Sequence, residues 1–422
     1  MKKWILFSFI FTLPFAAFAA PDEQSDYTSY IGALEELNNK KFSKIIIKEL
    51  NDYLHRFPSA GNLDDIHFKI ATLYSDRKDK VRSFFTNLEV IYLYPNSRHV
   101  PIAKDRVRAL LLQEKKFRPL KDKVETVLNP ATRDSTTESA YFAFIGDMVL
   151  YDLKSIRKLT IAACEKFLQT NPEMPRADAV LFWQAQLLEK DKRAAEAIAE
   201  LLQLTYLYSN SVFATASKLK MAELFTDKLK MHDKAMFALE EFILEFPEDP
   251  QAPYAQFKLA QIIEKKKKKP LEALEAYKAV AKNFPGSVEA VPALFEAARL
   301  YEDKFKGYDQ AIRIYTEVVR DFPEDIKAPH ALAEAARIYE KRLKDYFNAA
   351  NVFFKVYGHY PESNIAAESL FAAADINEKK LKDYDKAIMY YRFVVEQYPD
   401  KKVASKASKR IVKLSKNLAN LK

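Results

Sequence analysis

An aromatic residue followed by proline returns every 38 residues through the second half of the chain, at Phe246-Pro247, Phe284-Pro285, Phe322-Pro323, Tyr360-Pro361 and Tyr398-Pro399. A fixed period of that length makes each period one supersecondary unit, too small to bury its apolar face unless neighbours stack against it. The spacing continues backwards with less regularity. Tyr208 stands one period earlier but precedes Ser209, and looser copies occur at Asn171-Pro172, Asn129-Pro130, Tyr94-Pro95 and Phe57-Pro58.

Inside each period the same chemistry recurs at fixed offsets from the aromatic. A small residue falls fourteen positions on, at Ala71, Ala143, Ala185, Ala222, Ala260, Ala298, Ala336 and Ala374. A second series, Ala235, Ala273, Ala311, Ala349 and Ala387, is followed in most units by an aromatic four residues later: Tyr277, Tyr315, Phe353 and Tyr391. These spacings put small and bulky apolar residues on one helical face, so each period reads as two helices whose backbones approach at the alanines. The proline ends the second helix, since it has no N–H to donate and restricts the residue before it. Short polar turns such as 303–309 and 340–346 join the helices.

The expectation is an all-α solenoid of about ten helix-turn-helix units between residues 26 and 400. Residues 401–422 close it, with Val403, Ala407, Ile411, Leu414, Leu418 and Leu421 on one side and eight Lys/Arg on the other. The copies subdivide into N-terminal repeats over 26–131, an irregular repeat over 132–173, regular repeats over 174–400 and the basic capping helix 401–422.

Six glycines in the whole chain, at 32, 61, 146, 286, 307 and 358, exclude both phosphate cradles built from clustered glycines, the dinucleotide fingerprint and the Walker A loop. One cysteine forms no intrachain disulfide, and the six histidines show no zinc spacing. Cys164 falls on the buried face of its helix, and only His330 has a carboxylate one helical turn on, at Glu334. The reading is a non-enzymatic chain with no cofactor, metal or small-molecule substrate.

The net charge of +9 would suit a nucleic-acid partner in the cytosol. The first residues point elsewhere. Lys2 and Lys3 precede the apolar run 4–19, broken by Pro14 and ending in small residues, which has the form of a secretory signal peptide over 1–19. No cysteine is placed for lipid attachment. The expected location is the periplasm, with no nucleic acid as partner.

The alternation of small residue, aromatic and closing proline resembles the tetratricopeptide repeat, lengthened by one residue in the turn within the pair and three between pairs. That resemblance implies a right-handed superhelical solenoid that binds proteins. Segments 246–260 and 360–376, followed by 383–399, are similar to exported repeat proteins of the bacterial envelope, among them the BamD-like outer-membrane assembly proteins and the periplasmic Tol-Pal cell-division coordinators. They imply an adaptor in envelope biogenesis, in outer-membrane assembly, division or secretion machinery.

Two surfaces are candidates. In tetratricopeptide proteins the first helix lines a concave groove, which places Gln186, Glu223, Gln261, Arg299, Arg337 and Asp375 against a protein or peptide partner. The aromatics Phe257, Phe295 and Phe371 share the alanine face and belong to the core. The turns within pairs carry a basic ridge, Lys265, Lys266, Lys267, Lys268, Lys269, Lys304, Lys306, Lys341, Lys344, Lys379 and Lys382. It either solvates the helix ends or binds anionic lipid or peptidoglycan at the envelope surface.

Overall fold

The computed structural model describes residues 21–37, 41–130, 136–170 and 176–419. The expected signal peptide 1–19 lies outside the described residues, as does the Asn171-Pro172 copy. The chain is all helical there and falls into two compact units, one ending at Ala214 and the other beginning at Thr215.

The first unit contains α1 (Pro21–Glu36), α2 (Ser43–Arg56), α3 (Leu63–Asp76), α4 (Lys80–Leu93), α5 (Val100–Gln113), α6 (Val124–Leu128), α7 (Thr137–Tyr151), α8 (Arg157–Thr170), α9 (Ala177–Lys190) and α10 (Ala194–Leu207). The second contains α11 (Ala214–Asp227), whose first turn holds the boundary, α12 (His232–Glu245), α13 (Ala252–Lys265), α14 (Pro270–Asn283), α15 (Ala290–Leu300), α16 (Tyr308–Asp321), α17 (Ala328–Ile338), α18 (Tyr346–His359), α19 (Ala366–Ile376), α20 (Tyr384–Gln397) and α21 (Lys402–Ala419). From α12 onward consecutive helices pack on one another, and α21 packs on α20 and α19. These are ten helix pairs and a closing helix, with the closing helix burying Ala404, Ala407 and Leu414.

The repeat core follows the alanine series. Ala260, Ala298, Ala336 and Ala374 on first helices and Ala273, Ala311, Ala349 and Ala387 on second helices are all fully buried. Beside them Phe257, Phe295 and Phe371 pack edge or tilted against Tyr277, Tyr315 and Tyr391, with ring centroids 5.7, 5.2 and 5.2 Å apart. Small residues permit the backbone approach and the aromatic pair fills the space beside it. Ala143 departs from the series. It is only half-buried, and the neighbouring Phe144 takes the core position of α7.

Each aromatic before a proline caps its helix with nearly one geometry: φ/ψ is −128/57° at Phe246, −132/60° at Phe284, −131/53° at Phe322, −135/57° at Tyr360 and −133/51° at Tyr398. Proline disfavours the helical region for the residue before it. Tyr208 nevertheless adopts −129/51° without a proline. Packing of the repeat is therefore sufficient to impose the bend, and the proline restricts the chain to it.

The extra residue in the turn within a pair has a structural counterpart. After α3 and α9 the chain closes with a five-residue span, Asp79 N–H donating to Tyr74 O and Arg193 N–H to Leu188 O. In the second unit it closes over six, Met231 to Phe225, Lys269 to Ile263, Gly307 to Tyr301, Asp345 to Tyr339 and Asp383 to Asn377. The last turns at Tyr301–Phe305, Tyr339–Leu343 and Asn377–Leu381 widen to π geometry to absorb that residue.

The first unit breaks its own regularity at the fifth helix. Pro119 interrupts what would be the second helix of that pair, leaving a 3₁₀ segment Lys115–Lys123 and only five residues in α6. Phe117 still fills its place, stacked on Phe84 at 4.2 Å. α7 packs directly on α4, with Phe144 against Phe85 and Tyr92 and the Tyr92 hydroxyl donating to Asp147 at 2.6 Å.

Candidate functional site

The first-helix strip carries the expected groove residues, and the structure divides them by role. Gln186, in the first unit, is half-buried on α9. In the second unit Glu223, Gln261, Arg299 and Asp375 are half-buried and Arg337 is exposed. Arg299 is enclosed by carboxylates: it donates to Glu264 of the preceding pair, to Glu296 at 2.7 Å, and lies 3.8 Å from Asp303. Glu264 also accepts from the Tyr277 hydroxyl at 2.9 Å. One carboxylate thus joins its own second helix to the next repeat.

The same device recurs along the unit. Tyr254 donates to Glu223 at 3.2 Å, Arg342 to Glu302 at 2.8 Å, and Glu378 accepts from Tyr391 at 2.8 Å and from Arg410 of α21 at 3.2 Å. Arg337 differs. Among the described residues it pairs only with Glu334, one turn away on its own helix. Asp375 likewise pairs locally, with Lys379 at 2.6 Å. The strip is therefore held by bonds between repeats around Glu264, Glu302 and Glu378, and is most open at α17, where Arg337 is exposed.

The ridge residues lie in the turns of the second unit, and all are exposed except Lys267, which is half-buried and reaches Asp233 at 2.6 Å. Lys230, Lys268, Lys306, Lys344 and Lys382 share a feature the linear pattern did not disclose. Each has a left-handed backbone, with φ between 55 and 60°. That region suits glycine and costs an L-residue roughly 1–2 kcal/mol. Lysine at a helix carboxyl end interacts favourably with the dipole, and Lys230 folds back onto the Asp227 carbonyl at 2.7 Å. Replacing Lys344 by glycine removes the conformational cost and adds chain entropy to the unfolded state. The net expectation is a gain of about 0.5–1 kcal/mol, read from urea unfolding.

The turns also carry apolar side chains that sequence reasoning did not single out. Phe305 and Leu343, each immediately before a left-handed lysine, are 39% exposed. Phe347 and Leu271, at the starts of the following second helices, are more exposed still.

Cys164 is fully buried and burial pushes its thiol far above the usual range, the environment of an inert core cysteine. Among the described residues Asp64, Asp65 and His99 bring possible metal-ligand atoms within 4.8 Å of one another. Their donors and acceptors serve the contact between pairs instead: Asp65 accepts from Arg98 at 2.9 Å and pairs with His99 at 2.6 Å, while Asp64 accepts from Ser97 at 2.7 Å. The His99 ring stacks on Phe68 at 4.1 Å. Asp65 and His99 are 34 residues apart on neighbouring pairs, a relation visible only after the pairs are stacked.

Residues 216–249, 254–287, 292–325 and 368–401 match the family model of the tetratricopeptide repeat. No curated protein matches the chain. Similar solved structures include a tetratricopeptide repeat protein from Parabacteroides merdae, with 15% identity over 65% of this chain and 98% of that one and a TM-score of 0.36. The carboxyl-terminal part of a repeat-containing protein from Cytophaga hutchinsonii has 13% identity over 63% and 98%, with a TM-score of 0.41. PilF of Pseudomonas aeruginosa has 18% identity over 55% and 95%, with a TM-score of 0.33. The four matched segments all lie in the second unit, where each spans helices of the repeating pairs, so that part of the chain carries tetratricopeptide repeats.

Proposed function

We propose that the chain is a non-enzymatic scaffold that is exported to the periplasm and holds protein partners of the cell envelope along its first-helix strip. The observation that carries the reading is the division of that strip: its repeats are bridged to one another by partly solvated ion pairs, while Arg337 remains exposed and, among the described residues, pairs with Glu334 on its own helix. A surface organised in this way supports an extended partner without altering the repeats beneath it. The leader-like segment 1–19 supports export, and the similarity of the repeats to envelope proteins supports the setting. The test is crosslinking in the periplasm from probes at positions 299 and 337. Position 337 should capture a protein, Arg337→Glu should abolish capture from position 299, and the melting temperature should stay unchanged on that substitution. Recovery of only glycan, or capture indifferent to Arg337→Glu, would count against the adaptor.

The turn edge favours a second reading, binding to an anionic envelope surface. Its support is the alternation of exposed lysines with Phe305 and Leu343, a pairing of charge and apolar tip that suits lipid headgroups over a carboxylate polymer. The protein should sediment with phosphatidylglycerol vesicles and not with phosphatidylcholine vesicles, and salt should release it. Reversal of Lys265 to Lys269 should lower that partition by about a thousandfold or more, since five cations at about 1 kcal/mol each are lost. Binding to peptidoglycan sacculi alone would replace lipid as the ligand, and binding to neither would remove this reading.

A further inference from the structure

The irregular packing of the first unit creates a cavity of about 200 Å³ bordered by α2, α3, α4, α7 and α8. It has room for about six or seven waters. Its walls are unlike the alanine-lined seams of the second unit, because polar side chains from all five helices border it, among them Arg82, which is paired with Asp79 at 2.7 Å.

Glu89 on α4 makes no hydrogen bond or ion pair with any described residue. Lys166 on α8 borders the same cavity, lies 5.7 Å from the centre of the Tyr141 ring, and reaches no described carboxylate within 4 Å. The two charges are close enough to act on each other, since Lys166 is the group that draws the Glu89 carboxyl downward while burial pushes it up to about 7. His67 on α3 is buried, and its Nδ1 is occupied by the Leu63 carbonyl at 3.1 Å and the Tyr94 hydroxyl at 2.9 Å. Burial pushes that imidazole down to about 4, so it is neutral and its Nε2, which no described residue engages, adds polarity without charge. Ile70, Phe85 and Leu159 supply the apolar remainder.

Water can fill such a space but brings no charge to it. Glu89 and Lys166 are half-buried groups of opposite sign on facing walls with no direct ion pair between them, and a ligand carrying both counter-charges pairs with both. We propose that this cavity binds a small zwitterion of free amino-acid size, its ammonium on Glu89, its carboxylate on Lys166 and its apolar body against Ile70, Phe85 and Leu159. The site is independent of the scaffold reading, since it uses none of the strip or ridge residues.

Titration calorimetry of the full chain with leucine tests it, alongside isopentylamine and 4-methylpentanoate, which keep the apolar body and one charge each. Leucine should give a saturable heat, and each single-charge analogue should bind at least tenfold more weakly, about 1.4 kcal/mol. Glu89→Gln should cost leucine at least tenfold while leaving 4-methylpentanoate unchanged, and Lys166→Met should do the converse, leaving isopentylamine unchanged. Matching circular dichroism spectra establish that both variants are folded. No saturable heat for leucine up to about 10 mM, far weaker than a millimolar constant, overturns the proposal. So does leucine affinity that neither substitution alters.

Discussion

Truncating Tyr277 to alanine is expected to destabilise the second unit by about 3–5 kcal/mol. The ring is fully buried between α13 and α14, packs against Phe257, and its hydroxyl is a donor to Glu264. Removing it leaves a void in a seam where alanines already hold the backbones close, so the surrounding helices have little freedom to collapse. Tyr277→Phe keeps the packing and removes only the hydroxyl, with Arg299 still present on Glu264. Its cost should be about 1–2 kcal/mol. Because neighbouring pairs share their cores, hydrogen exchange should show the loss centred on α13–α16 and falling off toward α20. A uniform loss over the whole unit would contradict nearest-neighbour stabilisation. Arg299→Ala extends the test to the strip. Its guanidinium is partly solvated, so the expected cost is about 1–2 kcal/mol, against less than about 0.5 kcal/mol for Arg337→Ala.

Glu89→Gln should stabilise the first unit at pH 8 and leave it unchanged near pH 4. Burial raises the folded carboxyl to about 7 from an ordinary value near 4.5, so the folded chain holds a proton there that the unfolded chain releases. Between those values the folded state binds more protons, and stability falls as pH rises until the folded carboxyl has ionised. Above pH 7 the penalty is complete, roughly 3 kcal/mol from a shift of that size, and glutamine does not incur it. Tyr74, Tyr94, Tyr141 and Lys166 act on the carboxyl, His67 and Arg82 border the same cavity, and all are common to both proteins, so their titration cancels in the difference. His67 itself has the opposite sign. Its folded value near 4 lies below the ordinary 6.5, so stability is lost as pH drops from about 6.5 toward 4 in either protein. Thermal unfolding at the two pH values provides the measurement. Equal melting temperatures at pH 8 would mean that Glu89 is hydrated or paired in solution.

Much of this molecule is readable as a string. The interval between Phe246, Phe284, Phe322, Tyr360 and Tyr398 specifies paired helices, because a repeating unit of that length has one economical way to bury alanines and aromatics at those offsets. The closing helix is equally legible, since Ala407 and Leu414 carry its period. What the linear order leaves open is whatever depends on residues far apart in number. Arg299 and Arg337 occupy the same offset and look interchangeable, yet Glu264 of the previous pair encloses one and leaves the other exposed. The lysines of the turns are visible, but their left-handed backbone, which Lys78 and Lys192 share in the five-residue closures, is set by the turn and not revealed by composition. Glu89, His67 and Lys166 share no spacing at all. They meet because Pro119 cuts one helix short and α7 moves onto α4, so the periodic part of the sequence determined the scaffold and the tertiary contacts alone decided which charges were neutralised and which were left facing a cavity.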